Sequence, residues 1–280
     1  MLCHDSAGYK WVSLANADGS FNGTSWEKAM GWCSHASSRL MIGDFNGDGR
    51  SDMLCYDKTT KWVSLAQPGG SFVGTSFQKT TGWCSHAGSS IYIADFDGNL
   101  RDDLLCHDNT GRNWVMLAQP GGTFTGRSDW HPSTRWCDGT GELHLGYLNG
   151  DKRADMVCNR KSDGYKWVAV AGSQVSTLFS GTSWEKAMGW CGATGTLFVA
   201  DFNNDGKDDL LCHEQSTGKK WIADNHYPAK DACAPNPCQN GGQCIATRRR
   251  AEGYRCQCKG CYTGNVCQTG ENEKRAWTFP

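Results

Sequence analysis

Along most of the chain the apolar residues fall in short runs, five to seven residues long, rich in β-branched and aromatic types. Clusters of Gly, Asn, Asp and Ser separate them. No stretch sustains the i, i+3, i+4 spacing of an amphipathic helix, so the pattern predicts strands joined by turns. The same phrases then return. Met1-Leu2-Cys3-His4-Asp5 is echoed by Met53-Leu54-Cys55-Tyr56-Asp57 and again around Cys106, Cys158 and Cys212, at intervals of 52, 51, 52 and 54 residues. Each copy leads into a Trp-centred run: Trp11-Val12-Ser13-Leu14, Trp62-Val63-Ser64-Leu65, Trp114-Val115-Met116-Leu117, Trp167-Val168-Ala169-Val170 and Trp221-Ile222. The first four continue through a glycine-rich turn to a Trp-Cys pair, at Cys33, Cys84, Cys137 and Cys191. Residues 23–33 are identical to residues 181–191, which points to duplication or exchange between copies.

Four short strands in about fifty residues is the size of a β-propeller blade. One such sheet cannot bury its own faces, so neighbouring blades must stack, with tryptophan and aliphatic side chains between them. The expected class is therefore all-β: a propeller of four to five blades of about 52 residues, plus a small disulfide-rich domain. With strands lettered a to d, the chain reads b-c-d, three complete sets, then a-b-c. A closed ring of four blades has strands left over, and one of five lacks two. A fragment of a larger ring fits, as do ragged ends completed by another molecule. The expected boundaries are 1–226 for the propeller, 227–232 for a linker, 233–268 for the small domain and 269–280 for a tail.

Between strands a and b lies an acidic loop. In the first, Asp44, Asn46, Asp48 and Asp52 place oxygens at positions 1, 3, 5 and 9, and Arg50 offers its carbonyl at position 7. Gly49 permits the turn. Such a set suits a hard cation that takes six to eight oxygens. The second loop offers Asp95, Asp97, Asn99, Arg101 (carbonyl) and Asp103, with Leu100 where glycine is preferred. The fourth offers Asp201, Asn203, Asp205, Lys207 (carbonyl) and Asp209. The third has Tyr147 in place of its first carboxylate and is expected not to bind. An ion-free Asx-rich turn is the plain alternative. An EF-hand is excluded, because position 12 is Cys55 or Cys212 and the flanks are strands. The expected cofactor is calcium in a structural role.

The run Asp-Phe-Asn-Gly-Asp-Gly followed by Asp and an apolar strand resembles the FG-GAP (integrin α-type) calcium repeat, over about residues 1–224. The resemblance implies a calcium-stabilised extracellular propeller and no single biochemical activity. A cysteine pair in nearly every repeat departs from the family.

From Cys233 onward the chain is similar to an EGF-like domain, with Asn240-Gly241-Gly242 and Tyr262-Thr263-Gly264 among its cysteines. Such a domain is too small for a real core and relies on three disulfides. The resemblance implies Cys233–Cys244, Cys238–Cys256 and Cys258–Cys267, and leaves Cys261 surplus. The first 232 residues hold nine cysteines. Pairing within repeats (Cys3–Cys33, Cys55–Cys84, Cys106–Cys137, Cys158–Cys191) leaves Cys212. Pairing across each a-b hairpin (Cys33–Cys55, Cys84–Cys106, Cys137–Cys158, Cys191–Cys212) leaves Cys3. Both schemes stand, and either supplies an inter-domain or inter-chain partner for Cys261.

Composition narrows the function. With 28 basic and 29 acidic side chains the net charge is −1, against a nucleic-acid binder. No apolar run reaches the eighteen or so residues of a membrane span. Sixteen cysteines point to an oxidising, extracellular compartment. Residues 1–5 lack the features of a secretory leader, so the sequence is expected to begin partway into a longer protein. The first 232 residues carry about −5 and the rest about +4, with Arg248-Arg249-Arg250 on a loop. Asn22-Gly23-Thr24 is a glycosylation sequon on a turn. No catalytic motif is present, and His4-Asp5 and His107-Asp108 recur as scaffold, so no enzyme activity is expected. Trp26, Phe77, Trp130 and Trp184 share one repeat position, expected to be exposed, where sugars would stack on them. The alternative for each is packing between blades. The chain is thus expected to be a secreted adhesion protein and lectin that binds glycans or extracellular glycoproteins. The alternative is a matrix protein that self-assembles head to tail into filaments or oligomers.

Overall fold

The structure, a computed structural model, describes residues 1–225, 236–246, 254–260, 262–263 and 265–270. Cys233 and Cys261 lie outside the described residues. Among the described residues, apart from one short 3-10 turn at Val175–Thr177, every regular element is a strand. The sheets are antiparallel propeller-type blades, followed by a disulfide-rich EGF-like region. Two compact units are formed, Met1–Gly139 with Gly172–Phe179, and Thr140–Ala171 with Ser180–Pro280.

The first unit holds three blades. Blade 1 is β1 (Leu2–His4), β2 (Tyr9–Val12) and β3 (Trp26–Ala29); blade 2 is β4 (Arg39–Gly43), β5 (Asp52–Tyr56), β6 (Thr60–Ser64) and β7 (Phe77–Thr80). Blade 3 is β8 (Ser89–Ala94), β9 (Asp103–Asp108) and β10 (Asn113–Met116). Its fourth strand shrinks to a single bridge, Val115 with Trp130. Pro132, two residues on, has no N–H to donate to a ladder.

Period-two alternation sorts each blade's faces. In blade 2 the row Met41, Leu54, Val63, Phe77 faces one way, and Met53 with Ser64 and Cys55 with Trp62 face the other. The first row packs on blade 3 in a core of Phe45, Leu54, Val63, Ile91, Leu104 and Phe124. Met53, with Ala66 and Phe72, meets Val12 of blade 1, and Leu2 and Trp26 join them.

The second unit repeats this plan. Blade 4 is β11 (Gly141–Gly146), β12 (Asp155–Arg160), β13 (Tyr165–Ala169) and β14 (Trp184–Ala187); blade 5 is β15 (Gly195–Ala200), β16 (Asp209–Glu214) and β17 (Lys220–Ala223). Val157 and Val168 of blade 4 pack on Leu197 and Leu210 of blade 5. In the EGF-like region β18 (Gln243–Ala246) pairs with β19 (Tyr254–Gln257), and β20 (Tyr262–Thr263) with β21 (Thr269–Gly270).

Of the two cysteine schemes, the structure takes the hairpin one. Cys33 is bonded to Cys55, Cys84 to Cys106 and Cys191 to Cys212. Cys137 and Cys158 are also disulfide-bonded. Each of these first three bonds ties the end of one repeat to the second strand of the next, closing a loop of 22 or 21 residues. Such closure is worth about 3 kcal/mol in unfolded-chain entropy. The first cysteine of each pair bends back with φ between 55° and 59°, a left-handed turn that costs an L-residue about 1 kcal/mol. Because Cys212 is consumed by Cys191, it offers no partner to Cys261. Cys3 is exposed and is the free cysteine among the described residues. In the EGF-like region Cys238 is bonded to Cys256 and Cys258 to Cys267; Cys244 is disulfide-bonded as well.

Lysine supplies a second tie, one that the sequence hides. Lys10, Lys61 and Lys166 occupy one repeat position and are fully buried. Lys166 Nζ donates to Asn159 Oδ1 at 3.0 Å, the Gly164 carbonyl at 3.0 Å and the Trp190 carbonyl at 2.8 Å. Lys10 and Lys61 reach the carbonyls of Trp32 and Trp83 in the same way. In blade 3 Asn113 does the work, donating to the carbonyls of Gly111 and Trp136.

Replacing Lys166 with Met keeps the stem and strands those acceptors, at a cost of roughly 2 kcal/mol in urea unfolding. Burial holds the Lys166 amine at about 8, below its ordinary 10.5, so between those values the unfolded chain binds more protons. Wild-type stability therefore rises through that window, and the gap to Lys166→Met widens with it.

Candidate functional site

The acidic loops form the most repeated polar construction in the chain. In the first, the Asp44 carboxylate accepts the N–H groups of Gly47 at 2.8 Å, Asp48 at 3.2 Å and Gly49 at 2.7 Å. The backbone is thereby wound around the first carboxylate. Asn46 Oδ1 accepts from the Asp48 N–H, and Asp48 Oδ1 from that of Arg50, so positions 3 and 5 turn toward the same centre. Asp95, with Asp97 and Asn99, winds the second loop identically. Leu100 there adopts φ +69°, the conformation that Gly49 and Gly206 supply in their loops at +83° and +91°. The substitution of Leu for Gly thus leaves the path unchanged, at a conformational cost of about 1 kcal/mol. The fourth loop follows suit, with Asp201 accepting from Asp205 and Gly206, Asn203 from Asp205, and Asp205 from Lys207.

The acidic groups converge most closely in the second loop. One carboxylate oxygen each from Asp95, Asp97 and Asp103 lies within 4.8 Å of the others, the one such trio among the described residues. Asp95 and Asp103 are buried. Burial, and then the neighbouring carboxylates, push Asp95 up to about 6 and Asp103 well above the usual carboxylate range. All-oxygen donors, crowded and desolvated, fit a hard divalent cation, which would relieve both penalties. In the first and third loops the position-5 carboxylate is instead paired with the position-7 arginine, Asp48 with Arg50 and Asp151 with Arg153. Arg50, Arg101 and Arg153 also donate from Nε to the carbonyls of Ala66, Ala118 and Ala171, and Lys207 donates to that of Asn225.

The ninth position does something that spacing alone does not disclose. Asp52, Asp103, Asp155 and Asp209 are all fully buried, and each spends both oxygens on backbone donors. Asp52 accepts from Phe45 at 3.0 Å and Ala66 at 2.8 Å, and Asp103 from Phe96 at 2.9 Å and Ala118 at 2.8 Å. Asp155 accepts from Leu148 at 2.9 Å and Ala171 at 2.8 Å, and Asp209 from Phe202 at 3.2 Å and Asn225 at 2.7 Å. The clamp joins the loop's start to the chain leaving the third strand. It is intact in the third loop, where Tyr147 replaces the first carboxylate.

A further carboxylate, at position 8, links neighbouring corners within each unit. Asp102 Oδ2 accepts the Asp44 N–H at 2.7 Å while the Asp102 N–H donates to the Asp44 carbonyl at 2.7 Å. Asp208 and Tyr147 make the same two-way bond at 2.7 and 2.9 Å.

The aromatic positions divide. Trp130 is only 6% exposed, its ring edge-on to Phe179 at 5.4 Å. The expectation that it presents a face to sugar is therefore corrected, since it fills space between packed elements. Trp26 is half-buried against Phe72 at 5.7 Å, and Phe77 lies near Phe124 at 6.5 Å. Trp184 is exposed, at 36%. Missed from sequence are two surface clusters beside the disulfides: His35 pairs with Asp57 at 3.1 Å and stacks edge-on to Trp62, and His86 pairs with Asp108 at 3.3 Å beside Trp114. Their repeat spacing was the available signal. Asn22 is exposed.

Comparison with known proteins finds FG-GAP-like repeats at residues 44–106 and 95–158 and an EGF-like domain at residues 233–266. The chain thus carries both modules. It is 41% identical over 66 residues to the Protocadherin-like wing polarity protein stan of Drosophila melanogaster, a match covering 23% of this chain and 2% of that protein. Among solved structures it resembles an Agrocybe aegerita lectin described as recognising non-reducing terminal N-acetylglucosamine, with a TM-score of 0.54 and 18% identity over 79% of this chain and 61% of the lectin. It also resembles part of the Photorhabdus luminescens Tc holotoxin pore, with a TM-score of 0.56 and 13% identity over 81% of this chain and 11% of that one. Both likenesses are of fold.

Asp102→Ala removes the acceptor for the Asp44 N–H and is expected to cost about 1 kcal/mol. Native-state hydrogen exchange is the direct readout: the Asp44 amide should exchange about fivefold faster, while amides of blades 4 and 5 keep their rates.

Proposed function

We propose that this chain is a secreted, non-enzymatic recognition module whose blades are stiffened by calcium and whose surface takes carbohydrate. FG-GAP-like repeats, an EGF-like domain and repeated disulfides fit an extracellular adhesion role. Among the described residues no helix is long and apolar enough to cross a membrane. The observation that carries the metal reading is the trio Asp95, Asp97 and Asp103, an all-oxygen, largely desolvated set that asks for positive charge. Asp95, Asp97, Asn99, the Arg101 carbonyl and Asp103 would hold the ion, and bound calcium would neutralise the crowded carboxylates. Asp44 with Asn46 and Asp48, and Asp201 with Asn203 and Asp205, would hold ions in the same manner. The third loop lacks the first ligand.

The carbohydrate reading is supported by the lectin of like fold and by Trp184, whose exposed ring can cover the apolar face of a sugar. A stiff loop matters to such binding because a preformed surface loses less conformational entropy on contact. Glycans or glycoproteins are thus the proposed partners.

Calcium titration by calorimetry followed by a glycan array tests both halves. Asp97→Asn should weaken binding at the second loop about tenfold or more, whereas Asp151→Asn in the third loop should leave calcium uptake unchanged. Glycan signals should fall on chelation and on Trp184→Ala. An array that stays blank with calcium present would remove the carbohydrate half and leave the metal half standing.

A further inference from the structure

Four Asn-Gly pairs lie in the chain, at 22–23, 46–47, 149–150 and 240–241. Asparagine before glycine is prone to lose its amide, because glycine has no side chain to keep its backbone nitrogen away from the asparagine Cγ. Two of the four pairs form a natural control. Asn46-Gly47-Asp48 and Asn149-Gly150-Asp151 fill the same positions, 3 to 5, of the first and third acidic loops. Their backbones agree, with φ +77° at Gly47 and +72° at Gly150. Their side chains agree as well. Asn46 Nδ2 donates to Asp48 Oδ2 at 2.8 Å and Asn149 Nδ2 to Asp151 Oδ2 at 3.1 Å, and each Oδ1 accepts the N–H two residues on.

What differs is the glycine N–H. In the first loop Asp44 Oδ1 accepts it from Gly47 at 2.8 Å, and in the second loop Asp95 Oδ1 accepts it from Gly98 at 2.7 Å. The third loop has Tyr147 in that place, and among the described residues nothing accepts from the Gly150 N–H. The nitrogen can attack carbon only as its proton leaves. A carboxylate bonded to that proton opposes its departure, since the nitrogen anion would face a second negative charge, and the bond also pins the peptide plane. Gly150 has neither restraint. Asn149 and Gly150 are both partly exposed, so water reaches them.

We propose that Asn149 is a site of spontaneous deamidation, with water as the other reactant, and that the first-position carboxylate guards its counterpart Asn46. The Gly150 nitrogen bonds to Asn149 Cγ, the Cγ–Nδ2 bond breaks, and the nitrogen's proton ends on the departing ammonia. The succinimide so closed is opened by water at one ring carbonyl to aspartate, or at the other to isoaspartate. Either product sets an anion where the Asn149 amide now donates to Asp151 Oδ2. Isoaspartate also adds a carbon to the backbone path of the loop. The inference is independent of glycan and of bound calcium.

Ageing the full chain in chelator, at physiological pH and body temperature, tests it. Peptide mapping by mass spectrometry follows each asparagine, and enzymatic methylation counts isoaspartate. Asn149 should convert at least about tenfold faster than Asn46. In urea with the disulfides reduced, the two should convert at similar rates. Two reciprocal variants isolate the cause, with circular dichroism confirming that each keeps the fold. Tyr147→Asp should slow Asn149 to near the Asn46 rate, and Asp44→Ser should speed Asn46 about tenfold. Equal rates at the two asparagines of the folded chain overturn the proposal. So does Asn46 outpacing Asn149, which would make the carboxylate a base instead of a guard. A Tyr147→Asp chain whose Asn149 ages at the wild-type rate overturns it too.

Discussion

A buried aspartate at the corner of each of blades 2 to 5 holds two backbone N–H groups that would otherwise be stranded as the chain turns from one strand into the next. Hydrogen bonds to a charged acceptor are worth about 1.5–3 kcal/mol each, yet a carboxylate withdrawn from water is costly. Burial accordingly pushes Asp52 up to about 6 and Asp155 up to about 7. The corner is thus a stabilising clamp under electrostatic load. The acidic loop lies directly outside it and adds to that load. This gives calcium a physical role that is secondary to the clamp: the ion would relieve the charge, while the N–H bonds fix the geometry. The third loop separates the two contributions, because it keeps the Asp155 clamp without the first carboxylate.

The other ties work outward from that corner. Asp102 and Asp208 hook one corner to the next within each unit, and a buried lysine or asparagine gathers the carbonyls of the Trp-Cys turn at the opposite end. The disulfides fasten that turn to the following blade. Between the two polar ends lies the apolar row that makes the actual contact between blades. A small sheet with two apolar faces is unstable alone, so each blade depends on having those faces covered.

Much of this was legible in the residues. The repeat interval, the strand class and the acidic loops all follow from recurring phrases, because each blade must solve the same packing problem with the same side chains. The disulfide scheme was not legible. Cys33 is equally well spaced for a partner behind it or ahead of it, and only the hairpin's closure brings Cys55 within reach. The lysines hid because Lys61, beside Trp62, reads as a solvent-facing residue of an alternating strand; its burial becomes visible only once the Trp83 carbonyl is placed above it. Position 9 carries a second role that its ligand's spacing does not disclose: the oxygens of Asp52 also accept from the Phe45 and Ala66 N–H groups. Trp130 shares the repeat position of Trp184, and the loss of a full fourth strand in blade 3 sets it inside instead of at the surface.

Equilibrium urea unfolding of Asp155→Asn, run in calcium and again in chelator, tests the clamp most directly. The asparagine amide opposes a donor to a donor at one of the two N–H groups. The account predicts a loss of about 2–4 kcal/mol, equal in the two buffers. Unchanged stability, or a loss seen only with calcium present, would contradict it.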